Sequence, residues 1–306
     1  KSSVVNTANV LLRQWRMAVF LEHSFIRRNL SAPALISSVV FLPSDMLKKR
    51  LIPVLFLKNG LIVRSERFSD FREFGNPINQ LERLTDWNSD ELIYIDITRE
   101  GSHDLKRDDH KIKRESDIIA ILRTIAEKSF MPLTFGGRIS KLSQVDEYIA
   151  NGADKVIINS GVFKDPKLIT AVADKYGSQC IVVGIDVLEK DGQHLMYIDN
   201  GRTLVSGDPI NYAKKAESLG AGEIFLNSVD RDGTAQGYDI GYINEVALSV
   251  SIPVIVCGGA GSFDDFAEVM SKTSASAVAA GNIFNFTENA YIRAKKKLKE
   301  YALPVR

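Results

Sequence analysis

A single (β/α)8 barrel over residues 46–306, assembled from two related halves, is the architecture predicted for this 306-residue chain. Eight short Val/Ile-rich runs lie at 51–57, 91–97, 131–135, 155–159, 180–187, 223–229, 253–257 and 277–283. They are nearly continuous in apolar character, as strands buried on both faces should be. Segments with helical spacing separate them, giving strand–helix units of about 30 residues. Two of the units also repeat. Thr134-Phe135-Gly136-Gly137-Arg138-Ile139 corresponds to Val256-Cys257-Gly258-Gly259-Ala260-Gly261 at an offset of 122 residues. Val156-Ile157-Ile158-Asn159-Ser160 corresponds to Val278-Ala279-Ala280-Gly281-Asn282 at the same offset. A constant offset across two successive strands marks a duplicated half-domain. A doubly wound open sheet, the alternative, does not require that repeat.

Taken in order, the first strand is Leu51-Ile52-Pro53-Val54-Leu55-Phe56-Leu57, and an Asn59-Gly60 turn follows it. The second ends Ile95-Asp96-Ile97-Thr98. The third and fourth end in the glycine pair and in Asn159-Ser160. The fifth reads Gly184-Ile185-Asp186-Val187 before an Asp191-Gly192 turn, and the sixth runs into Asn227-Ser228-Val229-Asp230-Arg231-Asp232-Gly233-Thr234. Of the helices, 116–128 carries Ile118, Ile119, Ile121, Leu122 and Ile125 at helical spacing. Segments 209–219 and 264–270 are patterned alike, with Asp264 as the expected cap.

Composition narrows the function classes. The chain has 25% charged residues and a formal net charge of +1, so no basic excess points to nucleic acid. No run reaches the ~18 apolar residues that span a bilayer. Cys180 and Cys257 sit inside apolar runs and read as buried thiols of a cytoplasmic protein. His23, His103, His110 and His194 lack a zinc spacing and read as solvated surface, so neither metal nor cofactor is expected. The segment 106–114 reads as a charge-dense loop. Residues 1–45 do not fit the barrel pattern. With Met46 as the expected start, they form an extension outside the native fold.

In such barrels chemistry gathers at the carboxyl ends of the strands. Asp186 and Asp96 stand there within apolar strands, where a carboxylate is costly unless paired or open to a pocket. Phe56 occupies the first-half position equivalent to Asp186. Glycines just past a buried strand let backbone N–H groups approach an anion. Two such cradles in two related halves suggest a substrate with a phosphate at each end.

Several stretches are specific enough to carry a resemblance. They are Gly152-Ala153-Asp154-Lys155-Val156, Gly177-Ser178-Gln179, Gly220-Ala221-Gly222-Glu223-Ile224 and Asp230-Arg231-Asp232-Gly233-Thr234, joined by Gly237-Tyr238-Asp239 and Gly258-Gly259-Ala260-Gly261. Over residues 46–298 the chain resembles the cyclase subunit of imidazole glycerol phosphate synthase. That family takes ammonia from a glutaminase subunit and closes an imidazole ring on a substrate carrying two phosphates. The resemblance implies one phosphate near Gly136, Gly137, Asn159 and Ser160. It implies the other near Asp232, Gly233, Gly258, Gly259 and Gly281, and it makes Asp186 the general acid. It also implies that Arg50, Glu91, Lys155 and Glu223 form a gate for ammonia at the opposite, N-terminal mouth, where the glutaminase docks.

The chain departs from that pattern in two places. The family's strand-one carboxylate is Phe56, which can neither accept nor donate a proton, and such help is worth ~10²–10⁴-fold in rate. The third glycine of the strand-three turn is Arg138, which can bind an anion by its planar fork or obstruct the cradle. Lys58 remains just beyond Phe56, and Arg64 stands where the family has Lys. The resemblance therefore implies an ammonia-using subunit in one of two versions. One is histidine biosynthesis itself. The other, favoured by Phe56, is the divergent branch that serves amidine formation on a nucleotide-linked sugar with a sugar amidotransferase, in surface-polysaccharide synthesis. A non-catalytic activator of a glutaminase is the third possibility.

Overall fold

The computed structural model describes residues 48–98 and 117–306. The expected extension 1–45, Met46, His23, His103, His110 and segment 106–114 lie outside the described residues. Among the described residues, eight parallel strands close a barrel: β1 (Arg50–Lys58), β4 (Leu92–Asp96), β5 (Leu133–Gly136), β6 (Lys155–Ile158), β7 (Ile181–Lys190), β10 (Glu223–Ser228), β11 (Val254–Cys257) and β12 (Ala277–Ala280). Each pairs with the next, and β12 returns to β1 with Arg50 opposite Ala277 and Pro53 opposite Ala280. The closed (β/α)8 barrel is the predicted architecture. Because these strands are parallel, the glycine pairs after β5 and β11 share one rim.

The strands form because their apolar runs are buried on both faces. Leu55, Tyr94, Phe135, Val183 and Val256 belong to the layer between barrel and helices. Ile52, Val54, Phe56, Ile93, Ile157, Val182, Phe225, Ile255, Ala277 and Ala279 form a second cluster inside the barrel. The helices start at polar caps. Asp117 Oδ1 accepts from the Ile119 amide at 3.1 Å ahead of Ile118–Lys128. Asp208 Oδ2 accepts from Asn211 at 2.9 Å ahead of Pro209–Ser218. Asp264 is not the cap of Phe263–Lys272. Ser262 holds that position, and the neighbouring Asp265 carboxylate accepts from the Gly261 and Ser262 amides at 2.7 and 2.8 Å. The reason is reach: an N-cap precedes the first turn, whereas Asp264 lies in it and accepts from the Tyr301 hydroxyl at 2.8 Å.

Two antiparallel insertions go beyond the eight predicted strands. After β1 come β2 (Leu61–Glu66) and β3 (Asp70–Gly75). After β7 come β8 (Gln193–Ile198) and β9 (Thr203–Val205). Both open on two-residue turns with left-handed backbone, Asn59 and Gly60 at φ 53° and 76°, Asp191 and Gly192 at φ 55° and 75°. Such turns match the twist of paired strands, and Asn, Asp and Gly reach positive φ at least cost. The half-barrel repeat thus extends to its first unit, since strands one and five both continue into a hairpin. That continuation is why β7 runs to Lys190 rather than stopping at residue 187.

Candidate active site and gate

At the N-terminal mouth, four charged side chains that sequence alone would leave in solvent are buried. Arg50, Glu91, Lys155 and Glu223 are 8, 2, 5 and 6% exposed. They close an alternating ring. Arg50 Nη1 donates to Glu91 Oε1 at 3.0 Å and to Glu223 Oε1 at 3.1 Å. Lys155 Nζ lies 3.0 Å from Glu223 Oε1 and 3.6 Å from Glu91 Oε2. Arg306 adds a third cation to Glu91, at 3.5 Å, a participant that sequence reasoning missed. Burial opposes ionisation of Glu91, but Lys155 and Arg50 outweigh it and hold the carboxyl well below its usual range. Burial likewise opposes the Arg50 charge, and Glu223 and Glu91 reverse that, fixing the guanidinium in its protonated form. Buried pairs of this kind add little net stability, so the ring needs another reason to exist.

Above the ring, the interior apolar cluster fills the barrel as far as a pocket of about 310 Å³ at the C-terminal rim. Phe56, Phe225, Ile157, Asp186 and Asn227 line it together with Gly137, Arg138, Asn159 and Ser160. Phe56 and Asp186 therefore face the same cavity, as the half-repeat requires. The Phe56 ring meets Phe68 edge-on at 5.1 Å, so the position of the absent carboxylate is an apolar wall. Burial pushes Asp186 up to about 6, and a hydrogen bond donated by Asn227 Nδ2 at 3.0 Å partly offsets it. Asp96 accepts from Arg138 at 3.3 Å, so the strand-two carboxylate and the residue replacing the third glycine form a pair at the rim. Arg138 sits at φ 53°, the left-handed conformation that glycine would adopt more cheaply.

The two expected phosphate cradles are not equivalent. Gly137, Asn159 and Ser160 line the pocket, with Gly136 behind them at the end of β5. Gly233, Gly258, Gly259 and Gly281 follow strands on the same rim but do not line the pocket, and Gly233 lies beside the hairpin β2–β3. Ser65 Oγ donates to Asp232 Oδ2 at 2.6 Å, Asn282 Nδ2 donates to the Ser65 carbonyl at 2.8 Å, and the Arg67 amide donates to the Asp232 carbonyl at 2.9 Å. Gly233 packs against the same Ser65 carbonyl, where a Cβ would come within 2.2 Å. Burial raises Asp232 to about 7, against the Ser65 hydrogen bond. Lys58 lies 4.8 Å from the Phe71 ring, and Arg64 pairs with Glu66 at 3.2 Å.

His194 is not the solvated histidine expected. It stacks on Tyr242 at 3.5 Å, and its Nε2 lies 2.9 Å from Asp239 Oδ2, because β8 folds back over the helix that Asp239 caps. Among the described residues no cluster of three His, Cys, Asp or Glu could hold a metal, and no helix is long and apolar enough to cross a membrane. Cys180 and Cys257 are both buried thiols.

These pKa displacements predict an acid-side stability optimum. Asp186 and Asp232 have folded pKa values raised above the unfolded ones, so their stabilisation is complete below about pH 4. It is lost as pH rises through about 6 and about 7. Glu91 is depressed, so its contribution is present above the normal carboxylate range and lost as pH falls. Denaturant unfolding should show a maximum near pH 4 and a decline on the order of 5 kcal/mol toward pH 7. Asp232→Asn should flatten that decline.

Comparison with known proteins agrees with the geometry. A family model described as histidine biosynthesis protein matches residues 50–290. Imidazole glycerol phosphate synthase subunit HisF of Clostridium botulinum (strain 657 / Type Ba4) is 38% identical over 266 residues, covering 85% of this chain and 100% of the relative. The subunit of Hydrogenobaculum sp. (strain Y04AAS1) is 40% identical over 263 residues, and that of Bacillus cereus (strain G9842) 39% over 262, each with the same coverage. The chain belongs to the histidine biosynthesis protein family, an enzyme family, among the relatives of the HisF cyclase subunit of imidazole glycerol phosphate synthase.

Proposed function

We propose that this barrel is a cytoplasmic, ammonia-using cyclase-type subunit that receives ammonia from a glutaminase docked on its N-terminal face. Its acceptor lies outside histidine biosynthesis, and the product is an amidine on a nucleotide-linked sugar, made with a sugar amidotransferase for surface polysaccharide. The observation that carries this reading is the contrast between the two mouths. The ring of Arg50, Glu91, Lys155 and Glu223 is complete and buried, and the bore above it is apolar, which favours neutral ammonia over ammonium. The catalytic pair is half missing, with Asp186 in place and Phe56 where its mate would stand.

Within this reading Asp186 handles the proton. Its pKa of about 6 lets it exchange between acid and base near neutral pH. A phosphorylated ligand is held through Gly136, Gly137, Asn159 and Ser160, with Arg138 at its edge. The second phosphate is held through Asp232, Gly233, Gly258, Gly259 and Gly281. No nucleic acid or membrane takes part.

Reconstitution with the glutaminase and the sugar amidotransferase tests the proposal. Mass spectrometry of the nucleotide sugar should show glutamine-dependent amidine only when this chain is present. Equal amidine without it would remove the role.

A further inference from the structure

The strands that carry Arg50 and Glu91 are not laddered together where the ring stands. β1 and β4 pair from Val54 opposite Ile93 to Leu57 opposite Asp96. Carried back three residues, that register sets Leu51 opposite Asp90. Leu51 directly follows Arg50, and Asp90 directly precedes Glu91. A buried amide or carbonyl without a partner is costly, so other groups must close this seam. Side chains do so. The Leu51 amide donates to Asp90 Oδ2 at 3.3 Å, and the Leu51 carbonyl accepts from the Tyr291 hydroxyl at 2.9 Å. The same hydroxyl oxygen accepts from the Asp90 amide at 2.9 Å.

Asp90 is held in turn by a lysine. Tyr291 and Lys295 are four residues apart on the last helix, Ala290–Glu300, and so share one face. Lys295 Nζ donates to the two Asp90 oxygens, at 2.9 and 2.7 Å, and to the Arg306 carbonyl. Three acceptors thus meet the three N–H groups of the ammonium. The Lys295 side chain is only 14% exposed, where a helix lysine ordinarily stands in solvent. Burial pulls its pKa down, and Asp90 opposes that. Arg306, whose carbonyl Lys295 holds, reaches Glu91 Oε1 at 3.5 Å. Arg50 Nη1 stands 3.0 Å from both Glu91 oxygens, so a slip of either strand start would break that pair.

We propose that Lys295, Asp90 and Tyr291 are positioning residues for the charged ring. Standing in for the ladder, they set the separation of Arg50 and Glu91 and so how tightly the N-terminal mouth is closed. This rests on the ammonia-gate reading above. None of the three lines the pocket, so their effect reaches the chemistry only through the ring.

The test has two arms, both on the full-length protein. In the first, glutamate carboxyls carry carbon-13 and the Glu91 resonance is assigned through Glu91→Gln. Lys295→Met keeps the stem and loses the ammonium, and Tyr291→Phe loses only the hydroxyl. Each should move the Glu91 resonance. Lys295→Arg, which keeps the charge and its donors, should leave it near the unmodified position. In the second arm the chain is reconstituted with the glutaminase and the amidotransferase. Lys295→Met and Tyr291→Phe should raise the ratio of glutamate released to aminated product several-fold, with ammonium-driven turnover unchanged. Lys295→Arg should keep the ratio low. If the methionine variant does not fold, the phenylalanine variant carries both arms. A Glu91 resonance unmoved by either substitution would overturn the proposal. Equal losses of glutamine-driven and ammonium-driven turnover would also overturn it, since a merely structural role produces them. So would an unchanged ratio in both variants beside a raised one in Lys155→Ala. If the resonance moves while neither these variants nor Lys155→Ala changes the ratio, the gate reading fails and the positioning of the ring stands.

Discussion

Replacing Phe56 by aspartate is expected to raise imidazole formation from free ammonia and the bis-phosphorylated histidine-pathway ribonucleotide by ~10²–10⁴-fold over the unmodified protein. The substitution restores a carboxylate on the strand facing Asp186, in the pocket both residues line. It also removes a buried ring that meets Phe68 edge-on, at a cost of about 3 kcal/mol in unfolding free energy. The two effects have opposite signs and separate measurements, steady-state turnover and denaturant unfolding. Arg138→Gly in the same background should raise activity further if the guanidinium obstructs the phosphate cradle, and lower it if the guanidinium binds the anion. A stable Phe56→Asp protein that binds substrate without gaining turnover would show that the missing base is not what limits this barrel.

Lys155→Ala is the second large effect, and it falls on coupling rather than folding. Removing one partner from a buried charge network typically costs 3–5 kcal/mol. Here Arg50 still bridges Glu91 and Glu223 at 3.0 and 3.1 Å, so the loss should lie at or below the lower end and the barrel should stay folded. With a corner of the ring gone, the ratio of glutamate released to aminated product should rise several-fold above the near-unit ratio of a tight channel. Measuring both products in the same reaction gives that ratio. An unchanged ratio would remove the gate reading and leave the ring as a structural feature.

How far the sequence revealed this molecule depended on whether the relevant signal was local. The eight barrel strands were legible because runs such as Ile181-Val182-Val183 are apolar on both faces, and a buried parallel strand demands that. The hairpins were half legible. Asn59-Gly60 and Asp191-Gly192 announced turns, but β2 is apolar only over Leu61-Ile62-Val63 and β3 is mostly polar and partly exposed, so both lack the continuous apolar signal. Burial of the charged ring was not locally readable. A charge at a strand start is ordinarily solvated, and only contacts 41 to 173 residues apart in sequence make it otherwise. Arg138 and Asp96, 42 residues apart, are paired by the same kind of contact. Asn227 was within reach. The argument that gave weight to Asp186, a polar group inside an apolar strand, applies equally to Asn227 in Ile224-Phe225-Leu226-Asn227. His194 was misread because its partners, Tyr242 and Asp239, come from a helix that packs against β8 only in the fold.

The claim on which the account turns is that this barrel keeps the ammonia gate of its family without the carboxylate pair that closes an imidazole ring. Steady-state imidazole formation by the unmodified protein, with saturating ammonium and the histidine-pathway ribonucleotide, tests it most directly. The account predicts turnover at or near background while the same preparation supports glutamine-dependent amidine formation with its partners. Efficient imidazole formation by the unmodified protein would contradict it and return the chain to histidine biosynthesis.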